Sequence, residues 1–247
     1  MNWRTLLKDL LRKAGLVVLK YDPENVILKY DSLPIAGRMK LLRRYGINLV
    51  LDVGANIGMY SRELRLHGYT GRIVAFEPLT SALAQLRAAA QNDPHWQVVP
   101  LALGDQNTSA KINIASNSES SSLLAMLPRH QAAAPAVKYV GTEEIAVRTL
   151  DSIFHDYYQA DDRVYLKIDA QGYEQKILAG AADSLRHLVG LQMELSFVPL
   201  YQGEVLFFEM VRQLAERGFR LMSLEPMFRD ERTGELLQLD GIFFREN

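Results

Sequence analysis

One stretch, residues 48–77, most constrains what this chain can fold into. It reads NLVLDVGANIGMYSRELRLHGYTGRIVAFE. A short apolar run leads into a glycine-containing loop, a helical pattern follows, and a second apolar run closes at Glu77. The order of strand, glycine turn, helix and strand predicts the βαβ unit of a nucleotide-binding sheet. In such units an acidic residue about 20 residues beyond the glycine loop accepts hydrogen bonds from ribose hydroxyls.

The spacing of the glycines argues against a dinucleotide. A dinucleotide fingerprint has the form G-x-G-x-x-G, whereas here three residues separate Gly54 from Gly58 and Asp52 precedes them. A carboxylate at that place would repel a pyrophosphate but suits a cation, and S-adenosylmethionine (SAM) has a sulfonium, an ammonium and no phosphate. The alternative is that the glycines only form a tight turn and that Asp52 caps the helix.

Several further blocks carry a resemblance to a known family. In order along the chain they are LVLDVGANIGMYSREL, GRIVAFEP, VYLKIDAQGYEQKILAG, LQMELSFVPLYQGE and LLQLDGIFF. From near Leu41 onward the chain resembles the FkbM family of SAM-dependent methyltransferases. The resemblance implies an α/β, Rossmann-like class I methyltransferase fold, with seven mostly parallel strands, an antiparallel C-terminal hairpin and helices on both faces. It also implies methyl transfer to a hydroxyl, often of a sugar, glycan or natural product.

Two other functions stay open beside this one. A nicotinamide-dependent oxidoreductase with a Rossmann domain is disfavoured by the missing third glycine and by Asp52. A SAM-binding protein without turnover is the non-enzymatic alternative.

The composition limits which classes of fold and function are open to the chain. A chain of 247 residues, 48% of them hydrophobic, can bury one sizeable core. A net charge of -1 argues against nucleic-acid binding driven by overall positive charge. The chain has no cysteine, which excludes disulfides, thiolate metal sites and cysteine nucleophiles. The apolar block 14–19 is too short to span a bilayer, so a soluble, cytoplasmic protein is expected.

The domain organisation is predicted to comprise two parts. Residues 1–40 hold an amphipathic basic helix, at 2–20, and a connector. Residues 41–247 form the methyltransferase domain, with a lid-like insertion near 108–149. The helix is expected to pack on the domain as a lid or to contact a second subunit, as in a homodimer. The alternative is peripheral contact with a membrane, which would bring the enzyme to a lipid-linked acceptor.

The predicted catalytic residues lie where strands end. Asp169 follows the strand 164–168, and Glu194 lies almost at the end of the strand 189–195. Ligands of open α/β sheets bind outside the carboxyl ends of the strands, so both carboxylates are candidates, with Lys167 nearby to tune them. The alternatives are that Asp169 caps the helix at Gly172 and that Glu194 pairs with Lys167. Mg²⁺ between the carboxylates is possible but not favoured, and no metal ligands are assigned.

The remaining site residues fall into two groups. The cofactor-binding candidates are Asp52, Gly54, Ala55, Asn56, Gly58, Tyr60, Glu77, Pro78, Ala102, Leu103, Asp105 and Asp169. Of these, Ala102, Leu103 and Asp105 follow from the resemblance, since methyltransferases of this fold hold the adenine there. The substrate candidates are Ser121, Ser122, Gly172 and Tyr201, on the serine-rich loop and on two loops that follow strands.

Overall fold

A computed structural model of the chain describes residues 34–245. The predicted amphipathic helix at 2–20 lies outside the described residues. The compact unit that contains the site begins at Pro34. Its first helix runs through residue 40, where the sequence-based domain boundary was drawn.

Helices and strands alternate over most of the described chain. The helices are α1 (Pro34–Arg44), α2 (Met59–Leu66), α3 (Thr80–Ala90), α4 (Pro128–Ala133), α5 (Leu150–Ile153), α6 (Glu174–Ala179) and α7 (Phe207–Glu216), with 3₁₀ turns at Phe154–Asp156 and Ser184–His187. The strands are β1 (Leu49–Val53), β2 (Arg72–Phe76), β3 (Trp96–Val99), β4 (Ala102–Leu103), β5 (Thr108–Ala115), β6 (Tyr139–Arg148), β7 (Val164–Ile168), β8 (Leu188–Ser196), β9 (Phe219–Arg229) and β10 (Leu236–Arg245).

Seven strands form the main sheet in the order β3-β2-β1-β7-β8-β10-β9. Neighbouring strands from β3 to β8 are parallel, and β10 runs antiparallel to both β8 and β9. The strand order reverses direction between β1 and β7, and a ligand-binding crevice is expected at such a switch point. The predicted class I methyltransferase sheet with its antiparallel C-terminal hairpin is confirmed.

The central strands are apolar because both faces of the sheet are covered. Every residue of β1 and of β7 is buried, which is typical of parallel strands with helices on both sides. The main hydrophobic core contains residues of β1, β7 and β8 together with residues of α6 and α7. In this setting a charged residue within β1 or β7 requires a partner.

The insertion forms a small sheet of its own. β4, β6 and β5 pair in that order, with β5 and β6 antiparallel and β4 parallel to β6. β6 begins at Tyr139, and its first five residues are exposed or half-buried, whereas Ile145 and Val147 in its second half are buried. α1 begins with Pro34, and proline is favoured in the first helical turn.

None of the helices within residues 34–245 is long and apolar enough to cross a membrane.

Candidate functional site

A cavity of about 580 Å³ opens at the carboxyl ends of β1, β2, β7 and β8. This is the place where open α/β sheets bind ligands, and the volume lies within the range of small-molecule sites. The loop 117–123 of the insertion lines one side, and residues of β10 line another. The cavity is therefore enclosed by the main sheet and by the insertion together.

The loop after β1 makes a tight turn at the cavity. Gly54 and Gly58 have positive φ angles of 73° and 84°, a conformation that favours glycine. A Cβ on Gly54 would lie 1.8 Å from the backbone oxygen of Asp169, and one on Gly58 would lie 2.8 Å from Leu86. The predicted tight turn is present, and the space that a side chain would need at either glycine is filled by the protein.

Glu77 follows β2 and fixes this loop. Its Oε2 accepts a hydrogen bond from the backbone N–H of Asn56 at 2.7 Å, and its Oε1 accepts one from Leu79 N–H at 2.8 Å. Burial raises the pKa of Glu77 to about 7, although both backbone donors oppose the shift. Each oxygen keeps a lone pair for a further donor, such as a ribose hydroxyl.

Asp52 lies beneath the cavity rather than in its lining. Its Oδ2 accepts a hydrogen bond from Ser61 Oγ at 2.7 Å, and its Oδ1 lies 3.3 Å from Lys167 Nζ. That ion pair lacks hydrogen-bond geometry, so Oδ1 has no hydrogen-bond partner. Burial acts to lower the pKa of Lys167, but Asp52 and then Asp169 outweigh it and hold the pKa above its ordinary value. Asp52 is thus matched by a protein cation.

Asp169 and Glu194 meet at the carboxyl ends of β7 and β8, as their positions on adjacent strands predicted. The Nε2 of Gln171 donates to Asp169 Oδ1 and to Glu194 Oε2, both at 2.9 Å. Lys167 Nζ lies 3.5 Å from Asp169 Oδ2. Burial, followed by the charge of Asp169, raises the pKa of Glu194 well above its ordinary value. Lys167 is paired with Asp52 and Asp169, which does not fit the alternative that Glu194 pairs with Lys167. The helix after β7 has no side-chain cap, which does not fit the alternative that Asp169 caps it.

A third carboxylate, Asp240, comes from β10. It is the register partner of Glu194 across the antiparallel pair of β8 and β10. Its Oδ2 accepts a hydrogen bond from Gln192 Nε2 at 2.8 Å. Burial, with the charge of Asp169, raises the pKa of Asp240 to about 6. The floor of the cavity therefore carries three neighbouring carboxyl groups.

The insertion contacts residues 54–57, the predicted cofactor loop, directly. Asn56 Nδ2 lies 3.3 Å from Ser118 Oγ, and both residues adopt positive φ angles. Ser122 Oγ donates to the backbone oxygen of Gln171 at 2.7 Å. The serine-rich loop is thus bound to the end of β1 and to the segment after β7.

Most predicted site residues line this cavity. They are Lys167, Asp169 and Glu194 of the catalytic set, Gly54, Ala55, Asn56, Tyr60, Glu77, Pro78, Ala102 and Leu103 of the cofactor set, and Ser121 and Ser122 of the substrate set.

The other predicted residues lie outside the lining, and direct ligand contact by them stays a prediction. Asp52 and Gly58 are packed behind the cofactor loop. Asp105 pairs with Lys176 at 2.8 Å. The site that a Cβ on Gly172 would occupy is filled by Tyr201, whose ring is itself fully buried behind the cavity wall.

Several lining residues were not predicted from the sequence. They are Arg38, Glu63, Asn117, Ser118, Ser120, His130, Gln171, Gln238 and Asp240, among others. Asp240 could have been predicted as a site residue, because it is an isolated acid in an apolar strand. Arg38 carried none, since it lies in an ordinary helix and is bound there by Glu63 and Glu225.

Known methyltransferases resemble this chain. The methyltransferase FkbM domain family matches residues 52–221. An rRNA methylase structure from Streptococcus thermophilus has 13% identity, a TM-score of 0.48, and coverage of 90% of this chain and 100% of that one. The 1,6-didemethyltoxoflavin-N1-methyltransferase of Burkholderia thailandensis, with S-adenosylhomocysteine bound, has 10% identity, a TM-score of 0.47, and coverage of 86% and 77%.

No curated protein sequence matches the chain significantly. The assignment therefore rests on the family match, which covers more than half of the chain and includes the loop after β1, Glu77, Asp169 and Glu194. This chain belongs to the FkbM family of methyltransferases, for which SAM is the methyl donor.

Proposed function

We propose that this protein is an O-methyltransferase that methylates a hydroxyl of a sugar, glycan or natural-product acceptor. The observation that carries the proposal is the Asp169 carboxylate, which faces the cavity at the end of β7 and is held by Gln171 and Lys167. An alcohol is a poor nucleophile while protonated, so a carboxylate placed beside its hydroxyl supplies the base that O-methylation needs.

The residues around the cofactor loop fit SAM. Glu77 offers both carboxylate oxygens to ribose hydroxyls, and Ala102 and Leu103, which line the cavity, are the residues that we assign to the adenine. Gly54 and Asn56 provide the loop for the amino-acid portion. When bound, SAM supplies an electrophilic methyl group on a sulfonium. The protein's contribution is to position the acceptor oxygen in line with that methyl group and to exclude water.

The two catalytic carboxyl groups have different protonation states in this proposal. Glu194 is buried beside other acids, and burial raises its pKa well above the ordinary value, which favours the protonated form. Asp169 has a side chain that is 36% exposed and a cationic neighbour in Lys167, so it is the group that takes the acceptor proton. Glu194 then donates or accepts hydrogen bonds to hold the acceptor. Pairs of acids whose environments separate their protonation states divide such tasks between them.

The lining chemistry supports an acceptor rich in hydroxyl groups. Hydroxyl and amide side chains from the insertion loop, at Asn117, Ser118, Ser120 and Ser121, face the cavity. The carboxyl groups of Asp169, Glu194 and Asp240 add acceptors opposite them. A polyol offers many donors to such a surface, and each satisfied donor contributes to orientation.

The test measures methyl transfer by mass spectrometry across a panel of sugars, glycans and polyketides. With the best acceptor, Asp169→Asn should lower kcat by about 10²–10⁴-fold, since a general base typically contributes that much. The affinity for SAM should change little. Asp183→Asn is the matched control, because Asp183 is strongly exposed and lies away from the cavity. Near wild-type turnover in both Asp169→Asn and Glu194→Gln would refute the carboxylate mechanism.

The same assay separates the alternatives. Within residues 34–245, no three His, Cys, Asp or Glu side chains are arranged so that they could hold a metal ion together. Loss of activity with a chelator and recovery with Mg²⁺ would favour a metal between carboxylates over a plain base. SAM binding without release of S-adenosylhomocysteine, over the full acceptor panel, would favour a binding protein without turnover. The family match favours methyl transfer over the nicotinamide oxidoreductase.

A further inference from the structure

Gln171 occupies an unusual place between β7 and α6. Its backbone has a φ of 53°, in the left-handed region that non-glycine residues rarely adopt. Its backbone oxygen accepts the hydrogen bond from Ser122. Its neighbourhood is further fixed by Glu174, whose Oε1 accepts hydrogen bonds from the N–H groups of Ala170 and Gly172. The side chain is therefore held in one direction, toward the catalytic carboxyl groups.

Both hydrogens of the Gln171 amide are used. Nε2 donates one to Asp169 and one to Glu194, at 2.9 Å in each case. On the other side, Oε1 accepts a hydrogen bond from Tyr201 Oη at 2.7 Å. The orientation of the amide follows from Asp169 and Tyr201, because the Asp169 carboxylate only accepts hydrogen bonds and the Tyr201 hydroxyl donates its hydrogen to Oε1.

A chain of donors reaches Gln171 from the buried side. His130 Nε2 lies 3.3 Å from Tyr201 Oη, while His130 Nδ1 is buried without a partner. Burial lowers the pKa of His130. The hydrogen of Tyr201 points to Gln171, so His130 donates from Nε2. The donors run in one direction, from His130 through Tyr201 and Gln171 to the two carboxyl groups.

We propose that Gln171 is a positioning residue for proton transfer, which holds Asp169 and Glu194 together in the geometry that receives the acceptor hydroxyl. The inference rests on the proposed function and adds to it a residue that need not touch the acceptor. An amide suits this position because it bridges two acids with two donors and adds no charge. The groups that face Glu194 are otherwise acidic, namely Asp169, Glu174, Glu204 and Asp240. Lys167 is the cation that faces Asp169.

Two substitutions of similar size test the proposal. Gln171→Met keeps the length of the side chain and removes both donors, and Gln171→Glu also adds a charge beside the acids. Gln171→Met should lower kcat by about 10–100-fold, because small displacements of reacting groups cost that much. The KM for SAM should stay within about twofold, since the cofactor loop is unchanged. Gln171→Glu should lower kcat further.

A pH profile separates positioning from a merely structural effect. Hydrogen bonds to a charged carboxylate favour the charged form, so their loss should move the acid limb of the kcat profile to higher pH in Gln171→Met. The matched control is Gln213→Met, because Gln213 Nε2 also donates to a carboxylate, that of Glu209 at 2.8 Å, but on the exposed face of α7. Wild-type kcat and an unmoved acid limb in folded Gln171→Met would overturn the proposal.

A second measurement needs no acceptor. With ¹³C-carboxyl glutamate in the full chain, the resonance of Glu194 is assigned by its loss in Glu194→Gln and titrated by NMR. The midpoint should move upward by roughly one pH unit in Gln171→Met and should not move in Gln213→Met. An unchanged midpoint would count against the inference. If the midpoint moves but the wild-type protein methylates no hydroxyl, the proposed function fails and the bridging role of Gln171 stands.

Discussion

Asp52 and Lys167 are register partners on the neighbouring parallel strands β1 and β7, and their charged groups meet 3.3 Å apart beneath the cofactor loop. Both side chains are almost fully buried. The same ammonium lies 3.4 Å from the backbone oxygen of Gly54. One buried cation thus connects β1, the cofactor loop and β7.

Replacing Lys167 with methionine should strongly destabilise the protein. The substitution leaves Asp52 buried without its cation, and removing one partner of a buried ion pair typically costs about 3–5 kcal/mol. The free energy of unfolding, measured by urea denaturation, should fall by that amount. Lys176→Met is the control, because its pair with Asp105 is exposed, and its stability should stay close to wild type. Equal stability of the two variants would refute a structural role for the Lys167 pair.

Glu77→Gln should weaken SAM binding about tenfold or more, since a charge-assisted hydrogen bond contributes roughly 1.5–3 kcal/mol. Isothermal calorimetry measures the dissociation constant. Glu143→Gln serves as the control, because Glu143 also accepts a backbone hydrogen bond near the start of α3, from Thr80, but is exposed. A Glu77→Gln protein that is folded by circular dichroism and binds SAM normally would contradict the assignment.

SAM affinity should rise with pH. Burial raises the pKa of Glu77 to about 7, and only the ionised carboxylate gives charge-assisted bonds to the ribose. The dissociation constant for SAM should therefore decrease as the pH rises through about 7. Glu77→Gln should flatten this dependence, and an equally steep profile in that variant would show that another group is responsible.

The same pKa shift has a consequence for stability. The folded protein retains a proton on Glu77 that the unfolded chain releases near its ordinary pKa of 4.5. The unfolded state then binds fewer protons, so stability falls as the pH rises. The contribution of Glu77 is present in full below about 4.5 and is lost as the pH passes about 7. Urea denaturation of wild type and Glu77→Gln across this range measures the difference.

Gly54→Ala should be among the more damaging glycine substitutions. A Cβ there would lie 1.8 Å from the backbone oxygen of Asp169, and the residue has a φ of 73°. Backbone strain alone costs about 1–3 kcal/mol, and the backbone contact adds to it. Gly141→Ala is the control, because nothing lies within 4 Å of the Cβ position and its φ is not positive. The melting temperature, measured by thermal unfolding, should fall strongly in Gly54→Ala and stay close to wild type in Gly141→Ala.

Local patterns were enough to predict the sheet and the cofactor half of the site. β1, the glycine loop, β2 and Glu77 are contiguous, so the order of apolar runs and turn residues determines their arrangement. The position of Asp169 and Glu194 at strand ends follows from the same rule of parallel sheets. These parts needed only strand direction, which the alternation of helices and strands provides.

The acceptor side could not be predicted in the same way, because its contacts join distant segments. Asp240 meets Glu194 through the register of an antiparallel pair, and no sequence pattern determines that register. His130 lies in the insertion, whereas its partner Tyr201 lies in the loop after β8. The sequence shows that these residues exist, but their proximity depends on how the insertion and the last hairpin pack.

The position of β10 between β8 and β9 also bears on the order of folding. β9 and β10 are adjacent in sequence and pair with each other, so their hairpin closes only a short loop and can form early. Pairing of β10 with β8 joins segments that lie farther apart in the sequence, and it brings Asp240 to Glu194. The nucleotide half of the cavity is built from strands that need no such docking. A chain whose hairpin is not docked on β8 would therefore lack Asp240 beside Glu194, while the pairing of β1 with β2 would be unaffected.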